Sequence, residues 1–435
     1  MRMNGQRATV SYDVVVVGGG AAGFTAAVQA ARAGARTALI EKNGVLGGTT
    51  VVAGVDFPGL FHAGGKQVIS GIGWEAIERT VAKGGAELPD FTQPIQEGKH
   101  WEHQIRVNRF LYSAVLDEMC LEAGVDLRFH EMPAAIKMDN NEQGEPLLFT
   151  TGKTGLMAIG FKKLVDATGD ANIAEMMGYE REREAVLQPG TLVYKLEGYE
   201  LEKVDRSVLK ERYASALAAG EIRITDHLPG EFPFYRELVH GGSASLHIPW
   251  IDGSTSPLKS QAEIKAREAL LRIVHFLRGI PGCEKLYVSD FANECGIRET
   301  WRIIGETRVD APSYVSGRVW PDVVCYSYYP IDIHQSDSNT TEVRPLTEGV
   351  VPTIPYGALI PRGSEHLLAA GRCISGDGIA SSAYRVQASC MATGQAAGAA
   401  AAIAASRSIP VCRVEVEELR QLLTMHKAIV PEKDA

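Results

Sequence analysis

Apolar positions run without a break through Val14, Val15, Val16 and Val17, then stop at Gly18-Gly19-Gly20. An unbroken β-branched run reads as a strand covered on both faces. Residues 21–33 read as a helix ended by Gly34, and residues 35–40 as a second strand closed by Glu41. Further on, Phe110, Leu111, Ala114, Val115 and Met119 recur at helical spacing within 107–122. Gly124 stops that helix before a strand at 125–129, a polar turn at 139–145, and a strand entering at 162–166.

The rhythm changes near residue 180. Charged helical segments at 200–220 and 259–279 are separated by proline and aromatic stretches without a βαβ pattern. At Val351 the earlier pattern returns, with an apolar strand at 367–370, then Gly371-Arg372 and a long Ala/Gly helix. The pattern predicts an α/β protein of two lobes. A discontinuous Rossmann-like domain (10–178 and 351–410) carries an inserted substrate or cap domain (179–350), and a C-terminal extension (411–435) follows. Residues 386–405 carry no charge and have the length of a membrane span. They hold few large apolar side chains, and Gly394 and Gly398 lie one turn apart, so a buried interior helix is expected rather than a membrane span.

Composition narrows the partners. With 435 residues and a net charge of −9, no Lys/Arg run supplies a phosphate-neutralising stripe, so nucleic acid is not expected. The seven cysteines are scattered and odd in number, without metal-ligand spacing, so no metal site is expected. Reduced cysteines and a polar start without a secretory h-region point to a cytoplasmic setting.

Gly18, Gly20 and Gly23 fill the places of G-x-G-x-x-G between a strand and a helix. The first permits the turn, the second lets backbone approach a pyrophosphate, and the third lets helix and strand pack. The helix N-terminus at Ala21 and Ala22 favours the phosphates, and Glu41 stands where a carboxylate accepts from ribose hydroxyls. Lys42 follows it. Gly47-Gly48-Thr49-Thr50 can present further N–H and hydroxyl donors. The pattern indicates a dinucleotide, and by itself does not separate NAD from FAD.

Several stretches, in order along nearly the whole chain, carry a resemblance. They are 13–23, Glu41-Lys42 with Gly47-Gly48-Thr49, 165–170, Gly296-Ile297-Arg298-Glu299, 329–334, 367–372, and Tyr384-Arg385-Val386 through Gly394-Gln395-Ala396-Ala397-Gly398. With these the chain resembles the FAD-dependent oxidoreductases of the glutathione-reductase-like fold, specifically the bacterial group with a closing Gly-Arg segment and a Gln-Ala-Ala-Gly helix. The resemblance implies noncovalent FAD, with Ala167, Thr168, Gly169 and Asp170 near the adenosine end and Met132 to Ala134 near the adenine. It also implies a helix end, expected near Ser382, by the flavin. Such an end would favour anionic reduced flavin. Where many flavin folds place a carboxylate for the ribityl chain, this sequence has Arg372; Asp377 is the alternative. Cys373 is expected as a buried residue, with a covalent flavin link the rival reading.

No second G-x-G-x-x-G, no cysteine pair beside the flavin loop and no Trp-x-Trp-x-Ile-Pro stretch occurs. By elimination the substrate exchanges hydride with the flavin directly. Asp332 and His334 alternate on a strand and so share a face, where the carboxylate would raise the imidazole's basicity. Arg298 and Arg302 would clamp a substrate carboxylate if helical, with an ion-pair network to Glu299 and Glu306 as the alternative. Arg385 precedes the flavin-facing helix and is expected both in catalysis and, with Val386, against the cofactor; Tyr329 and His62 are further candidates. The expected activity is a dehydrogenase, oxidase or reductase of a small polar substrate, with a carboxylic acid as one option. Oxygen, a quinone or an electron carrier would be the acceptor, and a homo-oligomer is left open. The rivals are an NADPH-dependent flavin hydroxylase and a non-catalytic binding protein on the same fold.

Overall fold

The computed structural model describes residues 10–93, 99–138, 145–227, 231–336 and 340–432. Strand Val10–Val17 lies inside a seven-stranded sheet. Asp126–Phe129, Thr37–Glu41, Val10–Val17, Gly155–Asp166 and Leu367–Ala369 run parallel in that spatial order. Leu147–Gly152 and Met132–Lys137 extend the sheet antiparallel. The long strand Gly155–Asp166 serves two neighbours along one edge. Its first half pairs with Leu147–Gly152, and its last three residues pair with Leu367–Ala369. The chain therefore returns to its first sheet after all of residues 167–366.

The valine run is covered on both faces, as its pattern predicts. Val14 and Val16 join a core with Phe24, Val28 and Leu368, whereas Val15 and Val17 pack with Ile40, Leu164 and Ile173. Helix Ala21–Arg32 lies against helix Gln387–Arg407, which is buried from Gln387 through Ala405. Glycines set that approach. A Cβ on Gly394 would stand 2.1 Å from the Ala22 carbonyl oxygen, and one on Gly398 would stand 2.2 Å from that of Ala26. Among the described residues no helix is long and apolar enough to cross a membrane.

A separate core lies within residues 192–295. There strands Ser243–Ile248, Gly190–Glu197 and Tyr287–Phe291 form a sheet in that order. Helix Ser256–Arg278 contributes Ile273 and Leu277 to it, and helix Arg206–Ala219 contributes Leu209 and Tyr213. Val309, Tyr314, Val324 and Ile331 pack instead with the first core.

Three expectations are corrected. Helix Arg109–Glu122 is capped by Asn108 and buries Tyr112, Val115, Leu116 and Met119, so the inward stripe is rotated and Phe110 is 74% exposed. Residues 298–301 are not helical and Arg302 begins the short strand Arg302–Ile303, so Arg298 and Arg302 do not share a helix face. No helix starts at Ser382. That residue lies inside helix Gly378–Tyr384, and the long helix begins at Gln387 after extended Val386. Apart from Glu145, the polar turn expected at 139–145 lies outside the described residues.

Candidate active site

The glycine fingerprint has the local geometry that a dinucleotide needs. Gly18 has φ +102°, and a Cβ there would stand 2.5 Å from the Ala167 carbonyl oxygen. A Cβ on Gly23 would stand 1.7 Å from the Gly18 oxygen, so helix and strand touch through bare backbone. Gly20 differs. Nothing lies nearer to its Cβ position than the Gly48 Cα at 4.0 Å, which leaves room for a pyrophosphate to approach the backbone. No side chain caps helix Ala21–Arg32 and no acidic residue sits in its first turn. The amide ends of Ala21, Ala22 and Gly23 thus offer positive potential to a phosphate.

Buried Glu41 accepts from Gly19 N at 2.6 Å and Asn43 N at 2.8 Å, and burial raises its carboxyl pKa. The Gly47–Thr50 loop lies against the fingerprint, with Gly47 N donating to Gly19 O at 2.9 Å. Thr49 is exposed there, and buried Thr50 hydrogen-bonds Gln387 at the start of the long helix. Glu131 N donates to Glu41 O at 3.2 Å, which brings the strand with exposed Met132 and Ala134 beside Glu41. On the other side, Ala167 N donates to Val17 O at 2.9 Å, and Thr168 Oγ1 donates to Asp166 at 2.6 Å.

Arg372 does not stand free in a ribityl position. Its guanidinium donates to Gly169 O at 2.7 Å, to Asp170 Oδ1 at 2.6 Å and to Ile297 O, joining the loop at 167–170 to the segment at 297. Gly371 has φ +79° and donates to Thr393 Oγ1 at 3.1 Å. Asp377 is the cap of helix Gly378–Tyr384 and also accepts from Ala311 N. Lys42 pairs with Glu294. Ser382 donates to Ile379 O and accepts from Asp332 N at 3.2 Å, tying helix to strand. Val386 packs on Gly59, where any Cβ would stand 2.3 Å from its Cγ1. Cys373 is fully buried, with its thiol directed at the Asp166 and Ala370 carbonyls and its pKa pushed up by burial, a poor setting for a thiolate link.

Just before the long helix, a charged cluster forms around strand Ile331–His334. The Asp332 carboxylate and His334 Nε2 are 3.3 Å apart on one face, as their spacing predicts. A carboxylate only accepts, so Nε2 carries the hydrogen, and Nδ1 accepts from the Thr341 hydroxyl at 2.9 Å. Arg385 donates to Gln188 Oε1 at 3.2 Å and to Asp332 O at 3.3 Å, while its buried Nε has no hydrogen-bond partner among the described residues. Arg298 donates to Pro189 O and to His247 Nε2 at 3.0 Å. An arginine only donates, so His247 Nε2 is an acceptor there. The His247 and His334 rings meet edge to face with centroids 4.7 Å apart.

Electrostatics in this cluster reverse one expectation. Burial and the Arg298 charge push the His334 imidazole down to about 4, and the Asp332 carboxylate does not offset them. His334 is therefore neutral at pH 7. Burial opposes ionisation of Asp332, but the His334 hydrogen bond and the Arg385 and Arg298 charges hold it down at about 2. Burial also lowers Arg298 to about 9 and lowers Arg385. Arg302 is separate: buried, it donates to Gly376 O and pairs with Glu184 at 2.8 Å, with Glu299 4.0 Å away. Glu306 accepts from Gly363 N and takes no part. Buried Tyr329 accepts from Gln104 at 3.1 Å.

The model of a protein family described as FAD dependent oxidoreductase matches residues 13–423. The chain belongs to this family. The oxidoreductase is thus an enzyme whose cofactor is FAD, and the open backbone at Gly20 and the uncapped helix behind it fit that group. Three curated relatives match over short stretches. Dihydrolipoyl dehydrogenase of Trypanosoma brucei brucei is 53% identical over 53 residues, 12% of this chain and 11% of that protein. Urocanate reductase of Eggerthella lenta is 52% identical over 46 residues, 11% and 8%. The 4-oxocyclohexanecarboxylate 2-dehydrogenase of Sinomonas cyclohexanicum is 52% identical over 44 residues, 10% and 8%. The matches thus span about a tenth of each relative's length. Among solved structures, p-nitrophenol 4-monooxygenase of Pseudomonas putida is similar at 12% identity and a TM-score of 0.44, covering 95% of this chain and 84% of that one. A geranylgeranyl bacteriochlorophyll reductase-like protein of Thermoplasma acidophilum gives 15% identity and a TM-score of 0.42, covering 96% and 82%.

The sequence did not single out Gln188 or His247. Gln188 joins His334 N at 3.1 Å to Arg385, and its own N donates to Glu299 at 2.7 Å. The local signal for His247 is a buried polar residue on a strand of the second core. His62, the remaining candidate, stacks on Phe91 with centroids 3.7 Å apart and is pushed down to about 4 by burial and His103. The unfolded chain then binds more protons than the native one between about pH 6.5 and 4. Its contribution to stability is present above pH 6.5 and lost as pH falls through that window. His62→Phe should flatten this part of the stability–pH curve in urea titrations; an unchanged slope would remove His62 as a cause.

Glu41→Ala should weaken FAD binding while leaving the fold intact. Loss of charge-assisted hydrogen bonds is worth about 1.5–3 kcal/mol, or roughly tenfold to a hundredfold in affinity. Titration of apo-protein with FAD reads this directly, and an unchanged Kd would exclude Glu41 as the ribose ligand.

Proposed function

We propose that this oxidoreductase exchanges a hydride with a small organic carboxylate held by Arg298 and Arg385. The observation that carries the reading is the buried, unpartnered Nε of Arg385 beside Arg298 in a desolvated cluster. Arg298 and Arg385 lie about the Asp332 carboxylate, with buried Glu299 also acting on both, while the adjoining His334 is neutral. The cluster is desolvated, and the Arg385 Nε is buried there without a hydrogen-bond partner among the described residues. Burying charge in that way is costly unless an anion completes it. One substrate carboxylate would do so.

When bound, FAD supplies the two-electron chemistry. The proposed holders are Gly18, Gly20, Ala21, Ala22, Gly23, Glu41, Lys42, Gly47, Gly48, Thr49 and Thr50, with Met132, Ala134, Ala167, Thr168, Gly169, Asp170, Gly371, Arg372, Ser382 and Val386. Residues 179–350 form the proposed substrate lobe. Arg298 and Arg385 bind and orient the acid, and His247 and Gln188 hold those two arginines in place. Tyr329 lies in the same region as a donor. His334 moves a proton at Nδ1, where the Thr341 hydroxyl can turn aside, while Nε2–H on Asp332 fixes the ring.

Binding of an anion should also tune that base. In the free enzyme Arg298 depresses the imidazole, and a bound carboxylate screens this charge and raises its basicity. The acid limb of kcat, which reports the complex, should therefore lie at higher pH than that of kcat/KM, which reports the free enzyme. Coincident limbs, or a His334→Ala variant that keeps its rate of flavin reduction instead of losing about 10²-fold or more, would return the Asp332–His334 pair to a structural role.

A further inference from the structure

A cavity of about 260 Å³ is lined in part by Leu187, the residue before Gln188, and by none of the residues of the charged cluster named above. Its walls come from residues 183–187, residues 250–252 and the first turns of helix Ser256–Arg278. Val186, Leu187, Ile251 and Leu258 supply apolar surface. Trp250 stands at the rim, 61% exposed, beside Val186 at 65%. Two exposed apolar side chains at the mouth of a cavity are costly to leave wetted.

Trp250 also has φ +55°. For a bulky residue that is an unfavourable backbone state, and strain of this kind concentrates at ligand clamps. The polar side of the cavity is cationic. Arg183 is already matched by Asp252 at 2.6 Å and lies over the Trp301 ring, whereas Lys265 makes no ion pair among the described residues. Among the described residues the one lining charge without an ion pair is therefore positive, and beyond the Arg183–Asp252 pair the lining is an indole, aliphatic groups and the Gln261 amide.

We infer that this cavity is a second ligand site, which takes an aromatic monocarboxylate, its ring against Trp250 and its carboxylate towards Lys265. The cavity lining includes none of Arg298, Asp332, His334 and Arg385, so the site does not depend on the reaction proposed above. The ligand need not be the substrate.

The test is calorimetric titration of the FAD-loaded enzyme with 3-phenylpropionate, run in an Arg385→Ala background so that the catalytic cluster does not compete. Saturable binding with a Kd of about 1 mM or tighter is expected for a ligand of this size. Trp250→Gly suits φ +55° and should leave the fold intact while weakening binding about tenfold or more. Lys265→Gln should weaken it roughly threefold, and the neutral 3-phenylpropanol should bind correspondingly less well. The same Trp250→Gly comparison in the unmodified enzyme serves if the Arg385 variant does not fold. Absence of saturable binding, or binding that Trp250→Gly leaves unchanged, would overturn the site; equal affinity for the alcohol would overturn the carboxylate assignment. Loss of binding with Arg385→Ala alone would place the ligand in the catalytic cluster instead.

Discussion

Arg385→Ala is expected to lower kcat/KM for the acid substrate by about 10²–10³-fold, equivalent to roughly 3–4 kcal/mol. Two losses combine. The substrate carboxylate loses a charge-assisted partner in a desolvated place, and Asp332 is left with less compensation for its negative charge. Arg385→Lys should recover only part of the loss, because an ammonium cannot reproduce the planar contacts to Gln188 Oε1 and the Asp332 carbonyl oxygen. FAD content should stay near that of the unmodified enzyme in both variants. A variant that retains kcat/KM within about threefold would show that the carboxylate lies elsewhere.

Gly398→Val should destabilise the protein by about 3 kcal/mol or more. Helices Ala21–Arg32 and Gln387–Arg407 meet through backbone, and even a Cβ at Gly398 would stand 2.2 Å from the Ala26 oxygen. No flexible side-chain end is there to yield. Prising these helices apart would also displace the fingerprint turn, so FAD affinity should fall together with the urea midpoint. Gly363→Ala is the control: that glycine has open space around it, and only its φ of +73° opposes a side chain. A wild-type midpoint for Gly398→Val would contradict the close packing.

Local, repeating patterns were legible in the sequence. The valine run, the three glycines, Glu41 and the Gly394/Gly398 face depend on neighbours within a turn or a strand, so spacing alone places them. The Asp332–His334 contact was legible for the same reason, since alternate strand residues share a face. What failed depends on partners distant in the chain. Phe110 has the right spacing for a core position, but the stripe that turns inward is chosen by what the helix packs on. Arg298 and Arg302 are four apart, yet their segment is extended and they point to different partners, His247 and Glu184. The basicity of His334 was misjudged because Asp332 is visible beside it in sequence, whereas burial and Arg298 are not. Gln188 has no local signature, because its partners Glu299, His334 and Arg385 lie far along the chain, and the contacts of His247 exist only once the second core has folded.

The most direct test of the central claim is anaerobic titration of the purified, FAD-loaded protein with a panel of small carboxylic acids, each paired with its neutral amide or alcohol. Either the oxidised or the reduced cofactor can start the experiment, so both directions of hydride transfer are covered. The flavin's visible absorbance should change with one or more of the acids and not with their neutral partners, and Arg298→Ala and Arg385→Ala should abolish the response. Equal response to an acid and its neutral partner, or a response that survives loss of both arginines, would contradict it.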